Sequence, residues 1–191
     1  MVTEVVMASG FSADGLGSMY LKVKLCWNVV IPPKSLQIDG VKFQTELSRR
    51  LLNAFSEERA TKDLGYLLAV TTVESIGDGK VRPGTGEVKY PVVFNCITFK
   101  LFPGEIIHAV VCKVMWHGVC LRCGPVENLF LSANRIPDYQ YIPRDDDSMF
   151  LNPAKSQSRI RKDVTIRCIV IATRWSDADR EFRVLVDLPD I

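Results

Sequence analysis

The chain has 191 residues, of which 47% are hydrophobic, 24% charged and 9% aromatic, and its formal net charge is +2. This composition excludes a disordered, collagen-like or pure coiled-coil chain, and the length predicts one or two domains. The charge balance lacks the basic excess that marks many nucleic-acid binders, and two histidines exclude a mechanism built on several of them.

The N-terminus and the cysteines indicate the cellular compartment in which the protein resides. No apolar run reaches the roughly 18 residues that a membrane span needs. Residues 1–18 have no basic region followed by a solid apolar stretch, so they make a poor signal peptide and are interpreted as a flexible leader. Six cysteines in a chain of this length do not form a disulfide framework, so we expect reduced thiols in the cytosol or the nucleus.

The first strong patterns predict a strand and then a helix. Alternate residues from Tyr20 to Ile31 are apolar, as in a half-buried strand, and Pro32-Pro33 ends the run. Apolar residues then recur every four positions, which predicts a helix over roughly Val41 to Glu58. The expected apolar stripe consists of Phe43, Leu47, Leu51 and Phe55, widened by Leu52 and Ala54.

A glycine-rich loop separates two further predicted strands, Tyr66–Ile76 and Val88–Phe102. Residues 77–87 contain four glycines and one proline. A phosphate-binding P-loop is disfavoured, because Gly79-Lys80 is followed by a valine and no helix begins after it. We interpret the loop as a projecting hairpin tip that offers apolar side chains to a partner.

Beyond Pro103-Gly104, which we take as a domain boundary, the pattern is nearly all strand. Residues 133–163 are expected to be irregular. Five short strands without a clear helix predict a small closed barrel, most plausibly an OB-fold. The predicted strands are Glu105–Met115, Val119–Cys123, Leu129–Ser132, Val164–Trp175 and Glu181–Leu188.

A metal or thiol site is the first candidate for chemistry in this half. Cys120 and Cys123 have zinc-knuckle spacing, with His108, Cys112 and His117 nearby. Residues three apart on a strand point to opposite faces, so strand packing is favoured over zinc. A nucleophilic Cys112–His108 pair has no obvious orienting carboxylate, and no G-x-S-x-G elbow occurs. We therefore predict no metal, no cofactor and no catalytic residue.

Nucleic-acid contact is the second candidate, because OB barrels pair a basic groove with aromatic stacking platforms. The aromatic side chains available are Trp116, Phe130 and Trp175, and either tryptophan could instead cover the barrel end or contact a protein. The basic cluster at 155–162 is interpreted as a solvated loop. The predicted RNA-binding residues are Lys113, Trp116, Arg122, Arg167 and Arg174.

Four stretches resemble the seventh subunit of eukaryotic nuclear RNA polymerases, a family that also has an archaeal relative. They are residues 65–114 (GYLLAVTTVESIGDGK…), GVCLRCGP (118–125), LFLS (129–132) and IPDYQYIP (136–143). The resemblance covers nearly everything from Met19 to Leu188. The segments MYLKVKLCWNVVIPP, ERATKDLGY and RWSDADREF look like the plant versions in polymerases IV and V. Residues 1–18 and the ending Pro189-Asp190-Ile191 depart from the family pattern.

The resemblance implies an α+β chain: an N-terminal β-α-β-β tip domain (19–102), then an all-β OB-fold barrel (103–191). It also implies a non-catalytic stalk subunit in the nucleus, acting in small-RNA-directed DNA methylation and silencing. The implied partners are a subunit-four-like stalk protein, the largest and second-largest polymerase subunits, the small core subunit near the clamp, and nascent RNA. RNA binding should be weak, salt-sensitive and not sequence-specific. The alternatives are the same role in polymerase II, and a free-standing OB-fold RNA-binding protein.

The resemblance and the residues together assign the loop to docking against the polymerase core. The residues expected there are Gly77, Gly79, Lys80, Val81, Arg82, Pro83 and Gly86. The seam at 102–104 and the segment 133–163 are the expected surfaces for the subunit-four-like partner.

Overall fold

The computed structural model describes residues 6–7, 19–36, 41–144, 148–154 and 158–189. The chain divides into two compact units, the first ending at Lys100 and the second beginning at Leu101. The boundary expected from the sequence, between Phe102 and Pro103, differs from this division by two residues.

The first unit is an antiparallel sheet with one helix. In chain order its elements are β1 (Val6–Met7), β2 (Tyr20–Ile31), α1 (Val41–Glu57), β3 (Ala60–Thr61), β4 (Gly65–Ile76), β5 (Lys80–Val81) and β6 (Val88–Phe99). The sheet order is β1-β2-β6-β4-β3, and β5 also pairs with β6. The main elements β2, α1, β4 and β6 thus follow the predicted β-α-β-β order, although β6 ends at Phe99 rather than Phe102.

Only two residues of the predicted leader are described. Val6 and Met7 pair with Lys24 and Val23 on β2. The rest of residues 1–18 lies outside the described residues, and so do the acidic run 145–147 and Lys155 of the basic cluster.

The core of this unit lies between α1 and one face of the sheet. Alternation along β2 and β6 turns every second side chain toward the helix, so the apolar sets predicted from the sequence are the buried ones. The expected widening of the helical stripe is wrong: Leu52 is 48% exposed and Ala54 is exposed. Successive helical residues are about 100° apart, so the neighbour of buried Leu51 turns toward solvent. The largest fully buried members are Phe94, Leu25, Ile31, Leu47, Leu51 and Val92.

The second unit contains the predicted five-stranded closed barrel and, among its described residues, three further short strands. Its strands are β7 (Ile106–Met115), β8 (Gly118–Cys123), β9 (Val126–Ser132), β10 (Gln140–Ile142), β11 (Met149–Leu151), β12 (Arg159–Ile160), β13 (Thr165–Ser176) and β14 (Glu181–Asp187). The barrel order is β13-β14-β9-β8-β7, and only the β14–β9 pair is parallel. The interior is filled by alternate apolar residues such as Ile107, Ala109 and Val111.

The connection between β9 and β13 corrects an expectation. Within residues 133–163, expected to be irregular, β10, β11 and β12 form a three-stranded sheet. Buried Met149, Phe150 and Ile160 hold these strands in place. Strands of two or three residues are too short for an alternation to be recognised in the sequence. No helix among the described residues is long and apolar enough to cross a membrane.

Candidate functional site

The glycine-rich loop forms a hairpin at one end of the first unit's sheet. After β4 ends, the Gly77 amide donates to the Pro91 carbonyl oxygen at 2.8 Å. The short strand β5 then continues the sheet beside β6, with Lys80 opposite Lys89 and Val81 opposite Val88. The Arg82 amide donates to the Glu87 carbonyl oxygen at 2.7 Å and closes the turn. We call residues 77–87 the hairpin tip.

The glycines of the hairpin tip are required for two different reasons. A Cβ on Gly79 would lie 2.6 Å from the Tyr90 ring, and one on Gly77 would lie 2.7 Å from Pro91 Cγ. These two glycines therefore allow close packing against β6. Gly84 (φ +90°) and Gly86 (φ +68°) instead adopt the left-handed backbone that other residues rarely take. Close packing and left-handed backbone thus explain why glycine occupies these four positions of the hairpin tip.

The surface of the hairpin tip is open to solvent. Every residue from Gly77 to Gly86 is exposed, and Val81 is 66% exposed. Arg82 lies 3.6 Å from the Glu87 carboxylate, which also accepts a hydrogen bond from Thr85 at 3.3 Å. The apolar side chain of Val81, flanked by Lys80 and Arg82, is therefore accessible to a partner.

In the second unit, one row of outward residues runs around the barrel. Lys113 on β7 lies opposite Cys120 on β8, and Cys120 lies opposite Phe130 on β9. Phe130 then pairs with Leu185 on β14, which lies opposite Ala172 on β13. A groove of about 830 Å³ opens on this row, floored by Phe130 and Leu185. We call it the barrel groove.

A series of edge-on and tilted aromatic contacts leads from the tip of the β7–β8 turn to Phe130 in the barrel groove. Trp116 is 75% exposed, and its ring centroid lies 5.1 Å from that of His117. The His117 ring in turn lies 5.9 Å from the Phe130 ring. His117 was not among the RNA-binding residues predicted from the sequence, although it adjoins Trp116 in the same turn. Trp175 packs elsewhere, 4.9 Å from the Phe182 ring, with its indole N–H donating to Asp177.

The barrel groove carries both signs of charge. Arg183 donates to the Asp179 carboxylate at 2.8 Å, and Ser176 donates to the same carboxylate. These two hydrogen bonds, Ser176 first, lower the pKa of Asp179. Glu181 accepts a hydrogen bond from Asn128. Arg174, which lines the groove opposite Arg183 on β14, makes no ion pair with any side chain in the described part of the chain.

The five predicted RNA-binding residues are therefore not all in one place. Lys113 and Trp116 lie at the β7–β8 end of the row, and Arg174 lines the groove. Arg122 is the next outward residue after Cys120 on β8. Arg167 lies apart, because it faces His108 on β7, seven residues before Arg174 on the same long strand.

The cysteines occupy strands as reduced thiols. All six are free; Cys96, Cys123 and Cys168 are buried, and the other three are half-buried. Burial raises the pKa of Cys168 to about 12 and that of Cys96 to about 11, which suppresses the reactive thiolate. Among the described residues, no three His, Cys, Asp or Glu side chains are grouped as metal ligands would be.

Comparison with known proteins gives one family model and several relatives. A family model described as "SHS2 domain found in N terminus of Rpb7p/Rpc25p/MJ0397" matches residues 27–86. DNA-directed RNA polymerase V subunit 7 of Arabidopsis thaliana is 48% identical over 170 residues, 89% of this chain and 94% of that protein. RNA polymerase IV subunit 7 of the same plant is 45% identical over 170 residues, 89% and 95%. RNA polymerase II subunit RPB7 of Glycine max is 38% identical over 110 residues, 58% and 61%.

Proposed function

The chain belongs to the subunit 7 family of DNA-directed RNA polymerases, and from this premise we propose that it is a stalk subunit of a plant polymerase of the IV or V type. The observation that carries the proposal is the similarity to both plant subunits along nearly their whole length. Similarity to the polymerase II subunit is lower and covers a shorter stretch. The resemblance to the plant polymerase IV and V versions of subunit 7, predicted from the sequence, is confirmed.

We infer that the subunit is an accessory one that works in the nucleus and supplies no catalytic residue. Burial raises the pKa of Cys96 and Cys168, so neither of these two thiols is an activated nucleophile. Its proposed partners are a subunit-four-like stalk protein and, on the core, the two largest subunits and the small subunit near the clamp. The pathway that this role serves is small-RNA-directed DNA methylation and silencing.

The hairpin tip is the proposed docking element. Its shape is held by the backbone hydrogen bonds from Gly77 to Pro91 and from Arg82 to Glu87, and its glycines permit the close approach to β6 and the left-handed turn. A rigid element loses little conformational entropy on binding, so exposed Val81 can serve as a buried anchor at the centre of an interface.

The barrel groove is the proposed RNA surface. The exposed Trp116, continued by His117 and Phe130, offers ring faces on which bases can stack. Lys113, Arg122 and Arg174 supply charge for the phosphates. Arg167 belongs to the same proposal only as a peripheral contact, because it faces the β7 side of the barrel.

Affinity purification of the tagged full-length chain from plant cells tests the stalk role. We expect the subunits of polymerase IV or V to co-purify, and the largest subunit recovered identifies which. Replacing residues 77–87 by a short turn, or Val81→Asp, should lower their recovery at least about tenfold, as a central anchor does.

The matched control is Val73→Asp, which charges a 39% exposed valine of β4 outside the hairpin tip. It should leave recovery unchanged. If no polymerase subunit accompanies the wild-type chain, the stalk role is wrong and the free-standing RNA-binding alternative is favoured. If both tip variants recover the polymerase fully, only the docking element is wrong.

A further inference from the structure

A row of three side chains joins the hairpin tip, through its Lys80, to the neighbouring strands, on the face of the sheet that α1 does not cover. Val30 on β2 lies opposite Lys89 on β6, and Lys89 lies opposite Lys80 on β5. Their neighbours Ile31 and Val88 are buried on the helix side, so this row points to solvent. Val30 is 42% exposed, and both lysines are exposed.

The two lysines form a like-charge pair, which is unfavourable directly across strands. Glu87, two residues before Lys89 on the chain, directs its carboxylate to Arg82 and Thr85. Asp78 makes no ion pair with either lysine among the described contacts. The fold therefore keeps two adjacent positive charges without a described counter-charge.

The row also lines a concavity. A hollow of about 470 Å³ is lined by Val30, Lys80, Val81, Arg82, Glu87 and Lys89. Three cations against one carboxylate give its lining a positive charge, and the two exposed valines give it an apolar part. Its described lining residues include no aromatic ring, so they offer no platform for base stacking, in contrast to the barrel groove.

We propose that this hollow binds an acidic segment of a polymerase core subunit, with carboxylates against Lys80 and Lys89 and an apolar side chain against Val30 and Val81. The inference rests on the proposed docking of the hairpin tip and specifies the chemistry of the partner. Charge complementarity carries it: a carboxylate placed between the two lysines relieves their repulsion, and the adjoining valines favour a polypeptide over a bare phosphate chain.

Reversing the charge of one lysine distinguishes an effect on binding from an effect on folding. In the full-length chain, Lys89→Glu creates an opposite-charge pair with Lys80. We expect its melting temperature to rise by about 1–3 °C, because the cross-strand repulsion becomes an attraction. Recovery of the polymerase core should nevertheless fall at least about tenfold, and Lys80→Glu/Lys89→Glu should lower it further.

The matched control is Arg59→Glu/Lys62→Glu, which changes the net charge equally at the opposite end of the same sheet. It should leave recovery within about twofold of wild type. Unchanged recovery with the Lys80→Glu/Lys89→Glu variant overturns the acidic-segment inference. If Val81→Asp still abolishes recovery in that case, the docking proposal survives; if it does not, both fail.

A photo-crosslinking residue in place of Val30 identifies the occupant directly. In the assembled polymerase, we expect it to cross-link to a core-subunit peptide rich in Asp and Glu, as mapped by mass spectrometry. A cross-linked product that ribonuclease removes, or a peptide without acidic residues, overturns the inference.

Discussion

At the scale of single residues, glycine positions define much of this fold. Gly65, which opens β4, is buried with φ +82°, and a Cβ there would meet the Phe99 carbonyl oxygen and lie 2.8 Å from Lys100 Cβ. Gly84 in the hairpin tip has a similar φ of +90°, but nothing lies within 4 Å of its Cβ position. The two glycines thus share a backbone conformation and differ in their surroundings.

This difference predicts unequal effects of the same substitution. Gly84→Ala should cost about 1 kcal/mol of unfolding free energy, from the left-handed backbone alone. Gly65→Ala adds a steric clash with backbone atoms and should cost about 3 kcal/mol or more. Urea denaturation of the full-length variants measures both. Equal losses would show that the crowding around Gly65 relaxes at little cost.

At the scale of elements, α1 shows how one face of a helix becomes the core. Leu47 and Leu51 are fully buried against the sheet, whereas Leu52 is 48% exposed. On the outer surface Glu46 accepts hydrogen bonds from Arg49 and Arg50, which lower its pKa to about 2, the Arg49 bond having the largest effect. The helix is therefore held mainly by its apolar face, since exposed ion pairs contribute little.

Alanine substitutions of the neighbouring residues Leu51 and Leu52 test this account, because both remove the same side-chain atoms. Leu51→Ala should destabilise the first unit by about 2–5 kcal/mol, because it leaves a cavity in a closed core. Leu52→Ala should change stability by less than about 0.5 kcal/mol, as surface substitutions do. Thermal unfolding monitored by circular dichroism distinguishes them. Comparable losses would contradict the burial that the structure assigns to the two positions.

At the scale of the whole molecule, the nearly neutral net charge conceals a local separation of basic and acidic residues. Residues up to Phe102 include 12 basic and 10 acidic residues, and the remainder includes 12 of each. In the barrel, Arg183 is paired with Asp179, while Arg174 has no described ion pair. A protein with this distribution should bind RNA weakly and through a few contacts on one surface, rather than by its overall field.

RNA affinity tests this view with two arginines of the same strand. We expect Trp116→Ala to lower the affinity for a labelled single-stranded RNA at least about fivefold, because stacking contributes about 1–3 kcal/mol per base. Arg174→Ala should weaken binding and reduce its salt dependence, whereas Arg167→Ala should do so less. Fluorescence anisotropy across salt concentrations measures both quantities. If the two arginine variants lose affinity equally, the bound RNA is not confined to the barrel groove.

Part of this protein was determined by local sequence alone. The alternation in β2 and β6 and the four-residue stripe of α1 predicted the buried faces, because side-chain period follows directly from backbone geometry. The five barrel strands were predictable from their short apolar runs, and the hairpin from the glycine-rich stretch between two predicted strands. The family was identified from the sequence stretches that resemble it, and not from the periodicity of the apolar residues.

Tertiary structure decided what depends on residues far apart in the chain. Strand register sets the tilted contact of His117 with Phe130, the separation of Arg167 from Arg174, and the pairing of Lys80 with Lys89 beside Val30. Register depends on turns, bulges and packing across the sheet, and no single strand's sequence contains it. Composition thus established a nearly neutral chain and the local patterns predicted its helix and strands, while the fold determined where its unpaired charges and exposed rings come together.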